Sequence, residues 1–203
     1  DDDEYRRGEK GNHIVYGAGI AILAGDGLLT AAFNYLSKLD IESEKLIKII
    51  KVMSSGAGVN GMVGGQVLDL ESEGQEISLE KLKKIHLAKT AGLFRAAILG
   101  GAYTGEISSE EESSLKTFSD KLGLLFQITD DILDLTGDEK KLGKAVGSDS
   151  KLEKSTYPKI MGLEGAKSEA EKIANEAKSA LEIFEDKSAD LNYLIDFILN
   201  RDH

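Results

Sequence analysis

Proline occurs once in this chain of 203 residues, at Pro158. Proline lacks an amide hydrogen and clashes with the preceding turn, so it interrupts helices and marks turns. A chain that nearly omits it, with only 6% aromatic residues, reads as mostly helical. Apolar periodicity agrees. Residues 17–39, "GAGIAILAGDGLLTAAFNYLSKL", are rich in Ala, Gly and Leu and read as closely packed buried helix. A second pattern over 41–69 is broken by "SSGAGVNG", a kink or a tight helix contact. "SLEKLKKIHLAKTAGLFRAAILGGAYTG" follows with Ser78 as its N-cap. "SSEEESSLKTFSDKLGLLFQITDDILDLTG" opens on an acid-rich turn and ends near Gly137. Residues 163–186 and 191–201 form a last helical pair. No β-alternation of useful length, internal repeat or low-complexity linker stands between these segments. The expectation is one all-α domain over 1–203.

Charge and composition narrow the function. Twenty-five basic against 36 acidic residues leave a net charge of −11, which disfavours nucleic acid as a partner. A polyanionic ligand remains compatible if divalent cations intervene. The absence of cysteine excludes disulfides, thiolate catalysis and cysteine-based zinc sites. His13, His86 and His203 are scattered, without HExxH spacing. The longest apolar stretch is interrupted by Asp26 and is expected to be too short to span a bilayer. No signal peptide is visible, so a cytoplasmic location is expected. The opening "DDDEYRRG" lacks an initiator Met and reads as the start of a fragment.

The chemistry concentrates in "LFQITDDILDLTGD". Phe118, Leu122, Phe126, Asp130 and Asp134 follow one another at i, i+4, so an apolar helical stripe becomes acidic toward its end. Asp131 lies beside them. Carboxylates turned toward a core need cations, and with no sulfur donors Mg²⁺ fits best, with Mn²⁺ as a substitute. A solvated acidic helix end is the plainer alternative, though acids near a helix C-terminus oppose its dipole. A second acidic cluster, Asp1 to Glu4, is followed at once by Arg6 and Arg7, guanidinium forks suited to phosphate oxygens. Lys89 and Thr90 interrupt an apolar helix. Gln66 and Asp69 follow the tandem glycines Gly64 and Gly65. Lys144 and Lys154 lie in the polar stretch 137–158, long enough to serve as a closing lid. Neither lysine has an evident acidic partner in the sequence, and the stretch is expected to order only around a metal-charged diphosphate.

"DDDEYRRG", "GGQVLDLESEG", "HLAKTAGLFRAAILGG", "FQITDDILDLTGD", "LGKAVGSD" and "LEKSTYP" occur in an order and spacing that resemble the trans-isoprenyl diphosphate synthase (polyprenyl synthetase) family, nearest its bacterial farnesyl/geranylgeranyl diphosphate synthase branch. The resemblance covers essentially the whole chain. It implies an isoprenoid synthase helical bundle around a central cavity, here lacking its N-terminal helices, with roughly 90 further residues expected before Asp1. It implies a prenyltransferase that condenses dimethylallyl or geranyl diphosphate with isopentenyl diphosphate to a short-chain product such as farnesyl diphosphate. Asp1, Asp130, Asp131 and Asp134 would hold Mg²⁺, Asp130 most directly. Arg6 would hold the allylic diphosphate and Arg7 isopentenyl diphosphate. Lys89, Thr90, Gln127, Lys144 and Lys154 would hold the allylic diphosphate, with Lys89, Gln127 and Lys144 acting catalytically. Residues that set product length would precede Asp1, and a homodimer is implied. The rival readings are a non-catalytic prenyl-diphosphate-binding subunit, a class I terpene cyclase, and a helical bundle without ligand.

Overall fold

The computed structural model describes residues 4–6, 8–137 and 154–201. Asp1, Arg7, Lys144 and most of the expected lid lie outside the described residues, as does the side chain of Arg6. After a two-residue antiparallel ribbon, β1 (Tyr5–Arg6) with β2 (Glu9–Lys10), every described element is helical. The order is α1 (Asn12–Tyr16), α2 (Ala18–Leu36), α3 (Ser43–Ala57), α4 (Met62–Leu70), α5 (Leu79–His86), a π turn (Leu87–Ala91), α6 (Gly92–Ala102), α7 (Ser109–Thr136), α8 (Tyr157–Met161), α9 (Leu163–Ala180), a 3₁₀ turn (Glu182–Ser188) and α10 (Ala189–Asn200). The fold is an all-α bundle.

Helix α7 is the mast of the bundle. Its start is fixed by a capping box: Ser108 Oγ accepts from Glu111 N at 3.1 Å, while Glu111 Oε2 accepts from Ser108 N at 2.7 Å. Phe118, Leu122, Leu125 and Ile128 along it are fully buried. Helix α9 covers them with Ala166, Ala170, Ile173, Ala174 and Ala177, and α10 adds Ile195 and Ile198. Small side chains let α9 lie close to α7. On the other flank, α5, the π turn and α6 form one continuous rod, because the residues at both junctions keep helical dihedrals. Gly123 of α7 meets the backbone of Ala91, and Gly56 of α3 meets that of Gly92; a Cβ at either glycine would collide. Three backbones are thus drawn together around the π turn.

The break in "SSGAGVNG" separates two helices, α3 and α4, and Ser78 caps α5 by accepting from Lys81 N at 3.2 Å. The expectation of a buried helix over 17–39 is corrected. None of α2 is buried, and Ile22, Leu23 and Leu28 are each about two-thirds exposed or more, at 65%, 64% and 74%. Composition gave apolarity but could not say which residues this chain itself would cover. At 19 residues α2 is also long and apolar enough to cross a membrane, contrary to the sequence expectation, although Asp26 sits within it.

Candidate active site

The site forms where α4, the π turn, the second half of α7 and the segment before α8 meet. The π turn widens the rod by one residue, a feature often retained where side chains must be re-aimed. It carries Lys89 and Thr90. Lys89 Nζ donates to Asp69 Oδ2 of α4 at 2.7 Å. Thr90 Oγ1 donates to Gln127 Oε1 at 3.0 Å, Gln127 Nε2 donates to Asp131 Oδ1 at 3.3 Å, and Tyr157 N donates to Asp131 Oδ2 at 3.0 Å. A chain of hydrogen bonds therefore joins the π turn through α7 to the start of α8. Each amide and carboxylate oxygen in it has a donor, which removes most of the cost of burying Asp131.

Lys154 reaches the same place from the far side. Ser155 fixes the segment, donating to Gln75 O at 3.1 Å and accepting from Ile77 N at 3.4 Å. Thr156 caps α8, with Pro158 in its first turn. Lys154 Nζ then stands 3.7 Å from Asp69 Oδ2 and 3.7 Å from Glu73 Oε1. This overturns the expectation that Lys154 lacks an acidic partner. Both acids are remote from Lys154 in sequence and become its neighbours only when α4 and the turn after it fold against the rod.

Of the three aspartates, Asp131 and Asp134 are buried, at 4% and 6% exposure. Asp130 is the outer one, and its Oδ1 lies 3.5 Å from Arg201. Arg201 also donates to Phe126 O at 3.3 Å and lies over the Phe126 ring at 4.3 Å. Burial pulls its guanidinium below the usual arginine range, with the Asp130 charge opposing. Sequence reasoning missed Arg201 and had no signal for it. It also set aside His86, which lacks a metal-binding spacing. The structure buries that imidazole beside Lys89 and stacks it on Tyr157, ring centres 5.8 Å apart. Burial pushes its pKa down to about 3, with Asp69 opposing and Lys89 assisting, so His86 is neutral. Burial likewise raises the Tyr157 phenol above its ordinary value.

Three hollows surround these groups. A polar cavity of about 40 Å³ is lined by Asp69, His86, Lys89, Gln127, Asp131 and Lys154. Asp131 and Lys154 also line a groove of about 410 Å³ that takes in Asp134 and Lys159. On the other side of Lys89, a pocket of about 530 Å³ is walled by Met62, Val63, Val67, Leu93 and Phe94, with Gln66 and Thr90 at its edge. Lys89 stands on the boundary between polar and apolar space. Such a site suits a ligand with an anionic head and a hydrocarbon tail. Among the described residues, no three acidic or histidine side chains converge into a ready-made metal site.

A polyprenyl synthetase family model matches residues 1–195, and the chain belongs to that family, one of trans-prenyltransferases. Within it the chain falls in the farnesyl and geranylgeranyl diphosphate synthase branch. Farnesyl diphosphate synthase of Bacillus subtilis (strain 168) is 44% identical across 100% of this chain and 70% of its own length. The crystal structure of a Helicobacter pylori geranyltransferase complexed with magnesium and isoprenyl diphosphate superposes with a TM-score of 0.86 at 34% identity, covering 98% of this chain and 66% of that one. Geranylgeranyl pyrophosphate synthetase of Pyrococcus horikoshii Ot3 gives a TM-score of 0.88 at 31% identity, over 98% and 72%. The chain spans about two thirds of the length of these relatives.

Proposed function

We propose that this protein condenses an allylic diphosphate, dimethylallyl or geranyl, with isopentenyl diphosphate to give a short-chain trans-prenyl diphosphate, farnesyl diphosphate. The observation that carries this reading is Lys89 at the junction of a polar cavity and an apolar pocket. The diphosphate head would lie toward Lys89, Thr90, Gln127 and Lys154, and the hydrocarbon toward Met62, Val67 and Phe94. Arg6 and Lys144 would complete that anion's surroundings, and Arg7 would hold isopentenyl diphosphate.

Asp131 and Asp134 share one groove and offer only hard oxygen donors, which fits Mg²⁺ or Mn²⁺. Asp130, Asp131 and Asp134, with Asp1, would hold the ions. Bound there, Mg²⁺ supplies charge neutralisation for the departing diphosphate. The chain's own groups do the remainder. Lys89, Lys154 and Lys144 stabilise charge on the leaving diphosphate as the allylic C–O bond breaks, and Gln127 and Thr90 fix its orientation. The double bond of isopentenyl diphosphate attacks the resulting cation, and a proton is then lost to the released diphosphate. The apolar walls exclude water, which would quench the cation.

The reading includes a homodimer of single polyprenyl synthetase domains in the cytoplasm. The exposed apolar face of α2, with Asp26 midway along it, supports burial against protein rather than lipid, and water-soluble substrates suit a cytoplasmic setting. Incubation with Mg²⁺, isopentenyl diphosphate and dimethylallyl diphosphate, followed by product chromatography, tests the activity. Chain-elongated trans-prenyl diphosphates are expected. Cyclic hydrocarbons would indicate a terpene cyclase, and no turnover with tight ligand binding would indicate a non-catalytic subunit.

A further inference from the structure

Three stretches distant in sequence meet at the carboxylate of Asp69. Its Oδ2 accepts from Lys89 Nζ at 2.7 Å and stands 3.7 Å from Lys154 Nζ. The side chain is 16% exposed and lines the polar cavity with both lysines. An acid in a pocket for an anion looks misplaced, because like charges in a small space repel. The geometry removes the contradiction, since the oxygen is directed at the two ammonium groups. Without it those groups would repel each other, and two long, flexible stems would spread apart.

The placement of Asp69 is built by its neighbours. Gly65 lies one turn earlier on the same face of α4, and a Cβ there would collide with Lys89 N and Cα. Glycine thus brings the α4 backbone onto the π turn, and the i+4 residue falls beside the Lys89 side chain. The Ser155 hydrogen bonds to Gln75 and Ile77 hold the residue before them, Lys154, against the opposite side of the same carboxylate.

We propose that Asp69 is a positioning residue for diphosphate recognition. It keeps Lys89 and Lys154 converged on one point before ligand arrives, so that binding does not have to order them. It acts through the lysines and does not touch the substrate. This inference rests on the reading of the cavity as the allylic diphosphate site, and the test separates the two.

The full-length protein and its Asp69→Asn, Asp69→Glu, Lys89→Met and Asp69→Asn/Lys89→Met variants are titrated calorimetrically with inorganic diphosphate and Mg²⁺. Steady-state kinetics are measured with both substrates. Asp69→Asn should weaken diphosphate binding about tenfold and raise the allylic KM in step, while the KM for isopentenyl diphosphate stays within about twofold. Asp69→Glu should recover part of the loss. In the Lys89→Met background the same Asn change should cost about threefold or less, because half of what Asp69 acts through is gone. Undiminished diphosphate binding by Asp69→Asn, or an equal loss in both backgrounds, would overturn the inference, while a loss in Lys89→Met would leave the site reading standing. If Lys89→Met binds diphosphate as well as the unaltered protein, the site reading fails and the inference falls with it.

Discussion

The acidic stripe on α7 contains three carboxylates with different surroundings. Asp131 uses one oxygen for Gln127 and the other for Tyr157 N. Asparagine has a single acceptor oxygen, so Asp131→Asn leaves one buried donor unmatched and should destabilise by about 1–3 kcal/mol. Asp130→Asn weakens a partly exposed pair with Arg201 and should cost about 1 kcal/mol or less. Both should lower turnover and weaken Mn²⁺ binding in the presence of diphosphate. Denaturant melts alongside activity assays check the contrast, and equal stability losses would contradict it. His86 adds a pH dependence. Its folded pKa of about 3 lies below the ordinary 6.5, so the unfolded chain binds the extra proton first. The stability from burying neutral His86 is complete above about pH 6.5 and is lost as pH falls toward 3. Across that window one such group tilts the stability profile by about 1.4 kcal/mol for each pH step of one, and His86→Gln should flatten it. An unchanged slope in urea melts at several pH values would place the titration elsewhere. At this scale the sequence revealed residue types but not partners. Lys89 and Asp69 stood out because they interrupt apolar helices, and Gln127 entered through the family resemblance, whereas Arg201 gains meaning only from its contacts with α7.

Helices were legible where local rules dominate. The acid-rich first turn and Gly137 marked the bounds of α7, and the Ser108 box that fixes its start joins residues only three apart. Ser108→Ala should lower stability by about 1 kcal/mol without altering KM for either substrate. A changed KM would mean that the far end of α7 is coupled to the site. The π turn was not legible, because Leu87–Ala91 carries good helix formers and its extra residue is imposed by packing against Gly65 and Gly123. Helix α2 was misjudged for a related reason. Its pattern is apolar on more than one face, and periodicity reports apolarity without naming the surface that covers it.

For the whole molecule, that uncovered helix is the main consequence. Ile22, Leu23, Leu28 and Leu29 present an apolar surface of the kind that marks association. The intact protein should scatter light as a dimer at micromolar concentration, and Leu29→Glu should halve that mass while leaving the helical signal of circular dichroism intact. A dimer mass that survives the substitution would move the interface off α2.

The π turn also makes chain length a functional quantity. The rod from Leu79 to Ala102 is one residue longer than a regular helix spanning the same ends. Deleting Ala88 would let that rod relax to even pitch, with a better hydrogen-bond ladder than before. The flanking halves would keep their packing, because the turn had absorbed the extra residue, while the side chains within the turn would be re-aimed by up to about 100°. Lys89 and Thr90 would keep their identities yet no longer face Asp69 and Gln127. Shortening this segment should therefore be tolerated by the fold and fatal to the site, a trade that amino-acid substitution alone does not offer.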